Sequence, residues 1–382
     1  MAEPGRTGST VRTKPRLVLF FTRGMSLERW QRGGLLEREV PLYHKLRQRG
    51  LGIDFVTYGG PEDLALSHRI KGINVLCNRW RLHHRLYRLF LPLLHARSLR
   101  RATVLKSNQT DGAEIALRAA RLWSKPLVAR SGYPFSAFTS ALGGSDSTWT
   151  GRARAIEDRV WSAAWRVVVT TQPMALEVAR RIENGAAKTR IVPNYVESDR
   201  FRPGPERVTP ESEIVFIGRL SIQKNLRTLL EAVRSLDCRL KVIGDGELGE
   251  ELRQEFIDLQ DRIEWIPRVP HAELPGHLQK ALVFCLPSRF EGHPKALIEA
   301  MAAGLAVVGT DVPGIREVIQ DGVTGLLSPA EPEALGRTIK KLLDDRELRT
   351  GLGRAAREFA MANFDLHRVV ALEAEVYRDL EA

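Results

Sequence analysis

The sequence predicts an α/β protein made of two domains, each with a parallel β-sheet, and three observations support this. Apolar runs of strand length alternate with segments of helical pattern along the chain. With 382 residues, of which 43% are hydrophobic, the chain can bury two cores. A segment rich in proline and charge, RIVPNYVESDRFRPGPERVTPESE, indicates a linker. The predicted parts are a disordered tail (1–15), a first domain (16–195), a linker (196–212), a second domain (213–364) and a C-terminal helix (365–382).

The first domain is predicted to begin with a β-α-β unit. The apolar run 17–21 indicates a buried strand, and a helix of about fourteen residues ends at Gly50, before a strand over 53–58. Gly33 and Gly34 precede that helix. A glycine pair there lets the backbone approach a ligand, although it also fits a plain flexible loop. The chain has no Gly-x-Gly-x-x-Gly at this point, so a dinucleotide fold of the dehydrogenase type is not supported.

Later in the first domain, Arg130, Gly132 and Tyr133 follow a strand predicted over 126–130. Parallel sheets place ligands at the carboxyl ends of their strands, so these three residues are candidates for the site of a second substrate. The segment GGSDSTWTG (143–151) predicts a flexible loop.

The net charge of +12, from 58 basic and 46 acidic residues, calls for an anionic partner. Ten basic residues and no acidic one lie between Leu64 and Thr110. Within that stretch, residues 79–101 mix arginine with tryptophan, leucine and phenylalanine. This fits contact with an anionic membrane about as well as it fits a core helix with a solvated basic face, and nucleic acid ranks well behind.

The location predicted from the sequence is cytoplasmic or peripheral. The first fifteen residues lack the apolar core of a signal peptide, and the apolar runs are too short to span a membrane. Three separated cysteines, Cys77, Cys238 and Cys285, indicate neither a disulfide framework nor a zinc site, which fits a reducing compartment.

In the second domain, a strand predicted over 214–217 leads through Gly218 to Arg219 and Lys224, just before a helix. Two cations at a helix start can clamp a diphosphate, whereas such a pair in an arbitrary loop is usually on the surface.

The stretch 283–310 is predicted to be strand, loop, helix and strand, with the helix beginning at about Pro294. The free N–H groups near Gly292, His293 and Lys295 would form an anion site at the helix start. Glu291 and Glu299, with seven residues between them, flank that start. Alone, they would most often be solvated or dipole-stabilising residues, but carboxylates also bind hydroxyl groups strongly. The ligand suggested is a phosphate that carries sugars.

The segment from Pro287 to Leu327 resembles the Glu-x7-Glu segment of the retaining family 4 glycosyltransferases, which have the GT-B fold. The GR-L-x5-N segment at Gly218 and the IVPN segment at Ile191 are also similar to that family. The matching residues are Ser288, Glu291, Gly292, Pro294, Leu297, Glu299, Ala300, Met301, Ala302, Gly304, Val307, Gly314 and Glu317.

The resemblance implies two Rossmann-like domains facing across a cleft, with the C-terminal helix crossing back to the first domain. It implies transfer of a hexose from a UDP- or GDP-sugar to an acceptor hydroxyl with retained configuration. By the same resemblance, Arg219, Lys224 and Glu291 are catalytic, and no metal or other cofactor is expected. The donor-binding residues would be Gly33, Gly34, Gly218, Arg268, Val269, Gly292, His293, Lys295 and Glu299.

The role implied is cell-envelope polysaccharide, lipopolysaccharide or glycolipid biosynthesis, with a carbohydrate or lipid-linked acceptor. One departure from the family concerns the first domain, because no histidine occurs between Pro126 and Ser140, where many relatives carry one. Two alternatives stay open: an epimerase of the same fold that acts on a nucleotide sugar, and a nucleotide-sugar binding protein without turnover.

Overall fold

The computed structural model describes residues 14–144, 147–204 and 213–380. The predicted tail up to residue 13 and residues 205–212, about half of the predicted linker, lie outside them. The strands of the first domain are β1 (Arg16–Phe20), β2 (Gly52–Val56), β3 (Asn74–Leu76), β4 (Val104–Ser107), β5 (Leu127–Ser131), β6 (Arg166–Val169) and β7 (Thr189–Ile191). Its helices are α1 (Leu27–Arg32), α2 (Leu36–Gln48), α3 (Glu62–Ala65), α4 (His84–Leu94), α5 (Ala96–Arg101), α6 (Ala113–Leu122), α7 (Phe135–Gly143), α8 (Thr148–Ala163), α9 (Gln172–Arg181) and α10 (Gly185–Lys188).

The first sheet is parallel, with the strand order β3-β2-β1-β4-β5-β6-β7. Its central strand β1 is buried on both faces. Leu17 and Leu19 belong to the core on one side, and Val18 and Phe20 belong to the core on the other. This is why the sequence there is a continuous apolar run instead of an alternating one.

The second domain repeats the design with a parallel sheet ordered β10-β9-β8-β11-β12-β13. Its strands are β8 (Glu213–Ile217), β9 (Arg239–Ile243), β10 (Ile263–Ile266), β11 (Val283–Leu286), β12 (Ala306–Thr310) and β13 (Leu326–Ser328). Its helices are α11 (Leu226–Arg234), α12 (Gly249–Glu255), α13 (Leu274–Leu278), α14 (Lys295–Ala302), α15 (Pro313–Arg316), α16 (Pro332–Asp344) and α17 (Arg346–Phe364).

The last helix, α18 (Leu366–Glu375), crosses back to the first domain, which confirms that expectation. Val369 and Val370 join the first-domain core. Glu373, fully buried, forms an ion pair with Lys106 at the carboxyl end of β4, which is also fully buried. At the crossing point the backbone of Val196 bonds to the segment around Asp365, so both connections between the domains run side by side.

The structure differs from the sequence predictions at several element ends. Helix α8 already begins at Thr148, because Ser147 caps it by accepting the N–H of Thr150, so the loop predicted up to residue 151 is too long. Pro294 is the N-cap of α14 with an extended backbone, and the helix begins one residue later than predicted. The short strands β3, β7 and β13 were not predicted. The final helix ends at Glu375, and a short 3-10 turn follows over 378–380.

The basic segment 79–101 forms two helices that meet at His95, just after Pro92. Along α4, Leu86, Leu89, Phe90 and Leu93 follow helical spacing and are 44–56% exposed. Tyr87 and Leu91, on the other side of α4, are buried in the core. Within the part of the chain described, none of the helices is long and apolar enough to span a membrane. Cys77, Cys238 and Cys285 are free and buried.

Candidate active site

A cleft of about 610 Å³, hereafter the central cleft, lies between the two domains. Both walls are formed by loops that follow strands, as expected for ligand sites in parallel sheets. Ten residues singled out from the sequence line it: Arg130, Gly132, Tyr133, Gly218, Arg219, Lys224, Glu291, Gly292, His293 and Lys295.

The backbones of the two walls lie in close contact at Gly292. A Cβ atom added there would lie 2.5 Å from the carbonyl oxygen of Gly132 and 3.0 Å from the Cβ atom of Tyr133. Beside this contact the ring of Tyr133 stacks on Phe290, with centroids 6.0 Å apart. Gly292 is therefore required because the backbone of the first domain occupies the space of a side chain.

Glu291 and Lys224, the predicted carboxylate and ammonium, form an ion pair. Lys224 Nζ lies 2.5 Å from Glu291 Oε1, and the hydroxyl of Ser288 donates to the same oxygen at 2.6 Å. Glu291 is only 8% exposed. The carboxylate is therefore held in one orientation at the floor of the central cleft, and its second oxygen is available to a ligand hydroxyl.

The central cleft has an excess of positive charge. Five cationic side chains line it, against the two carboxylates Glu39 and Glu291. Lys224 and Lys295 are paired with these carboxylates. Arg38, Arg130 and Arg219 have no carboxylate partner among the described residues. An anion bound in the cleft would therefore meet three unpaired guanidinium groups, which bind phosphate oxygens well.

Lys295 contributes more than a backbone N–H. Its Nζ lies 2.5 Å from Oε1 of Glu39 on α2, so this ion pair joins the two domains. Burial alone would raise the pKa of Glu39, but the Lys295 ammonium and the Arg38 guanidinium outweigh burial and lower it. Glu39 therefore stays ionised and orients the Lys295 side chain.

His293 faces the interdomain connection. Its Nδ1 accepts the backbone N–H of Asn194 at 3.2 Å, and its carbonyl oxygen accepts the Asn194 side-chain amide at 2.6 Å. Burial, followed by the charges of Arg130 and Lys295, lowers the pKa of His293 to about 3. The ring is therefore neutral, and its Nδ1 already accepts a hydrogen bond from the protein. Any donor contact from this residue would come from its backbone.

Glu299 is 2% exposed and has one bound and one unbound oxygen. His271 Nε2 lies 2.9 Å from Oε1, while Oε2 is buried without a partner. Arg200 Nη1 lies 3.3 Å from His271 Nδ1. Because a guanidinium can only donate, Nδ1 accepts and Nε2 carries the proton. His271 thus donates to Glu299, and the second carboxylate oxygen has no partner among the described residues.

Four of the remaining predicted donor residues line a neighbouring cavity of about 200 Å³, hereafter the glycine-loop cavity, whereas Glu299 is not among the residues that line either cavity. It contains Gly33, Gly34, Arg268, Val269 and His271, and it shares Gly218 and Arg219 with the central cleft. Gly34 has a φ of +65°, which glycine adopts without strain. Arg268 Nη1 donates to the carbonyl oxygen of Arg32 at 3.1 Å across the interdomain gap. The two cavities therefore form one path along the domain boundary.

The structure adds site residues that the sequence analysis missed: Arg38, Glu39, Gln109, Asn194 and His271. Gln109 accepts the backbone N–H of Gly132, and Asn194 accepts a bond from Arg130. Each lies far along the chain from its partner, so no local pattern marks the contact. The usable indications were the place of Gln109 after a strand and that of Asn194 in the IVPN segment. No group of three or more His, Cys, Asp or Glu residues suited to a metal occurs in the segments described.

Comparisons with known proteins support the assignment of the fold. Residues 197–359 match the model of the family described as glycosyl transferases group 1. An uncharacterized glycosyltransferase of Methanocaldococcus jannaschii is 31% identical over 168 residues, which are 44% of this chain and 48% of that protein. The D-inositol 3-phosphate glycosyltransferase of Streptomyces avermitilis is 29% identical over 286 residues, 68% of this chain and 61% of that protein. The alignments thus span about half to three fifths of these relatives.

Among solved structures, the Anabaena protein HepE in complex with UDP and glucose superimposes with a TM-score of 0.77. The match covers 96% of this chain and 100% of that one at 17% sequence identity, so it concerns the fold. The expected two-domain architecture is confirmed. The chain has the GT-B fold, and its second domain carries the match to the group 1 glycosyl transferases.

Proposed function

We propose that this protein is a retaining glycosyltransferase of family 4 that moves a hexose from a UDP- or GDP-sugar to an acceptor hydroxyl. One observation carries the proposal: Arg219, Lys224, Glu291 and the start of α14 meet in one cleft, and His271, which donates to the buried Glu299, lines the adjoining cavity. Cations for a diphosphate and carboxylates for hydroxyl groups are the two requirements of a nucleotide sugar. The relatives support the same reading, since HepE was solved with UDP and glucose.

In this proposal the diphosphate lies against Arg219 and Lys224. As the anomeric bond breaks, negative charge grows on the leaving phosphate, so these cations stabilise the transition state more than the ground state. The backbone N–H groups at the start of α14 add to this. We expect no metal ion to be needed, because the two cations would supply the charge that a magnesium ion otherwise provides.

The two carboxylates would hold different parts of the donor. Glu291 would accept hydroxyl protons of the transferred hexose, and Glu299 would accept those of the ribose. The backbone at Arg268 and Val269 would meet the base, next to the glycine loop. Neither carboxylate is a nucleophile in this scheme. The acceptor attacks the face from which the diphosphate leaves, and the leaving oxygen takes its proton, so configuration is retained.

Titration calorimetry with UDP, GDP, ADP and dTDP tests the donor site. One nucleotide should bind tightly, and Lys224→Ala and Glu299→Ala should each abolish or strongly weaken that binding. Glu333→Ala, an exposed carboxylate on α16, is the matched control and should bind as the parent does. If none of the four nucleotides binds, or if both cleft variants bind like the parent, the assignment of the cleft is wrong.

The products distinguish the proposal from its alternatives. A transferase releases nucleoside diphosphate and forms a glycosidic bond only when an acceptor is present. An epimerase returns a changed nucleotide sugar without an acceptor, and a binding protein changes nothing. Arg219, Lys224 and Glu291 gathered in one cleft favour turnover over mere binding. Among the described residues, the ionisable groups on the first-domain wall are Arg38, Glu39, Arg130 and Tyr133. Glu39 is paired with Lys295 and burial raises the pKa of Tyr133, so these groups do not form an acid and base pair suited to a sugar ring.

We also propose a peripheral location at an anionic membrane, in envelope polysaccharide, lipopolysaccharide or glycolipid synthesis. The exposed apolar row on α4 and the surrounding arginines have the chemistry of a helix that lies in a membrane surface. Replacing Arg81 and Arg85 by Gln should lower binding to vesicles rich in phosphatidylglycerol. Replacing Arg337 and Arg354 on the second domain should not. Equal binding of both double variants would contradict a membrane role for this segment.

A further inference from the structure

A third cavity lies on the first domain, between the loop after β1, the end of β2 and residues 78–88. It has a volume of about 450 Å³, and we call it the arginine cavity. Arg23, Arg29 and Arg88 line it, and no carboxylate is among its lining residues in the part of the chain that is described. Its composition therefore points to an anionic ligand.

The three guanidinium groups differ in their partners. Arg23 pairs with Asp111, 3.2 Å away, and with Glu114. Arg29 donates only to the carbonyl oxygen of Gly24, at 2.7 Å. Arg88 forms no ion pair with any described residue. Two positive charges thus face the cavity without a protein carboxylate to balance them, as in a site for a phosphate group.

Among the described residues of this region, three buried polar atoms lack a partner: the hydroxyl of Tyr58 and Nε of Arg23, which belong to lining residues, and Oε2 of Glu114, which lies outside the lining. Such atoms are rare in folded proteins, because a buried donor or acceptor that loses its bonds to water without gaining a partner destabilises the fold. Burial and the charge of Glu114 raise the pKa of Tyr58, so its phenol keeps its proton. The N–H of Arg23 and the hydroxyl of Tyr58, both on residues that line the cavity, are suited to the hydroxyl groups of a polyol or sugar.

The wall of the cavity is fixed before any ligand arrives. The side chain of Asn78 bonds to both the N–H and the carbonyl oxygen of Leu82, at 3.0 and 2.7 Å. The hydroxyl of Tyr87 donates to the carbonyl oxygen of Thr57 at 3.0 Å, which ties α4 to the end of β2. A rigid cavity that keeps unsatisfied polar atoms fits a binding role better than a packing defect.

The position of the cavity connects it to the chemistry. Thr22 and Met25 line the central cleft, while Arg23 and Gly24, between them in the chain, line the arginine cavity. We propose that the arginine cavity binds the phosphate ester and hydroxyl groups of a phosphorylated polyol or sugar, whose neighbouring hydroxyl reaches the central cleft as the acceptor. The inference rests on the proposed function and deepens it by naming the class of acceptor.

The test is titration of sn-glycerol 3-phosphate, and separately of inorganic phosphate, into the full-length protein. The variants are Tyr58→Phe, which removes only a hydroxyl, and Arg88→Gln. Arg121→Gln on α6, an exposed arginine outside the cavity, is the matched control. A second arm measures sedimentation of the same proteins with vesicles of phosphatidylglycerol or of phosphatidylcholine. A third arm titrates UDP into every variant, which verifies the fold and tests the donor site independently.

We expect glycerol 3-phosphate to bind the parent and the control, and each cavity variant to bind about tenfold more weakly. If only the phosphatidylglycerol vesicles show this dependence on Tyr58 and Arg88, the ligand is a lipid headgroup instead of a free phosphate ester. If neither variant changes either measurement while UDP still binds, the proposal fails. If inorganic phosphate binds as tightly as the ester and Tyr58→Phe has no effect, the hydroxyl part fails. Should UDP not bind the parent, GDP, ADP and dTDP take its place in the third arm, and a parent that binds none of the four contradicts the donor site alone.

Discussion

One prediction concerns Oε2 of Glu299, which has no partner among the described residues. Glu299→Gln keeps the shape of the side chain and removes its charge. A hydrogen bond to a charged group contributes about 1.5–3 kcal/mol, and a neutral one about 0.5–1.5 kcal/mol. The site is 2% exposed, so solvent does not screen the difference. We therefore expect nucleotide affinity to fall by about 1–2 kcal/mol, or roughly five- to thirtyfold.

The assay is calorimetry with the nucleoside diphosphate that binds and with its 2′,3′-dideoxy analogue, for the parent and for Glu299→Gln. The loss should appear only with the ribonucleotide, because the analogue lacks the hydroxyl groups that Glu299 would accept. His271→Ala should produce the same pattern, since His271 Nε2, 2.9 Å away, is the only described group that bonds to the carboxylate. The two single losses should not add in the double variant, because both act on one contact.

The outcome that refutes the reasoning is an equal loss for the ribonucleotide and the dideoxy analogue. The substitution would then act through packing or folding and not through the ribose. A thermal unfolding measurement on the free variant separates these cases. Its midpoint should lie close to that of the parent, because the amide can still accept the proton that His271 donates.

Three further predictions concern the frame of the site. Lys106→Met should lower the free energy of unfolding in urea by about 3–5 kcal/mol, because the buried carboxylate of Glu373 then lacks its cationic partner. Adding Glu373→Leu should recover most of this loss, and strictly additive effects of the two substitutions would contradict the ion pair. His293→Gln should flatten the pH dependence of the free energy of unfolding. The pKa of His293 in the folded state, about 3, lies below its value in the unfolded state, so the parent should lose about 2 kcal/mol of stability between pH 7 and pH 5. If the variant shows the same profile as the parent, another group is responsible for the titration. Gly292→Ala should reduce turnover, because a first-domain carbonyl lies 2.5 Å from the added methyl group; Gly276→Ala, with nothing within 4 Å, is the control and should be as active as the parent.

The local features of the second domain could be predicted from the sequence. The strands Val283–Leu286 and Ala306–Thr310 have the predicted bounds, because continuous apolar runs between turn residues allow little else in a sheet covered on both faces. The spacing of Glu291 and Glu299 places one in the loop after a strand and the other on the helix that follows. Arg219 and Lys224 face the same cleft because they too follow a strand of that sheet.

The partners of these residues depend on contacts between distant parts of the chain. Glu39 meets Lys295, His271 meets Glu299, and no local periodicity marks either pair. The ring of His293 faces the interdomain connection, where its Nδ1 accepts the backbone N–H of Asn194. Local sequence thus determined whether each segment is a helix or a strand, and at which positions after the strands the carboxylates and cations stand. The packing of one domain against the other decided which charges are paired, which remain free and how the two walls meet.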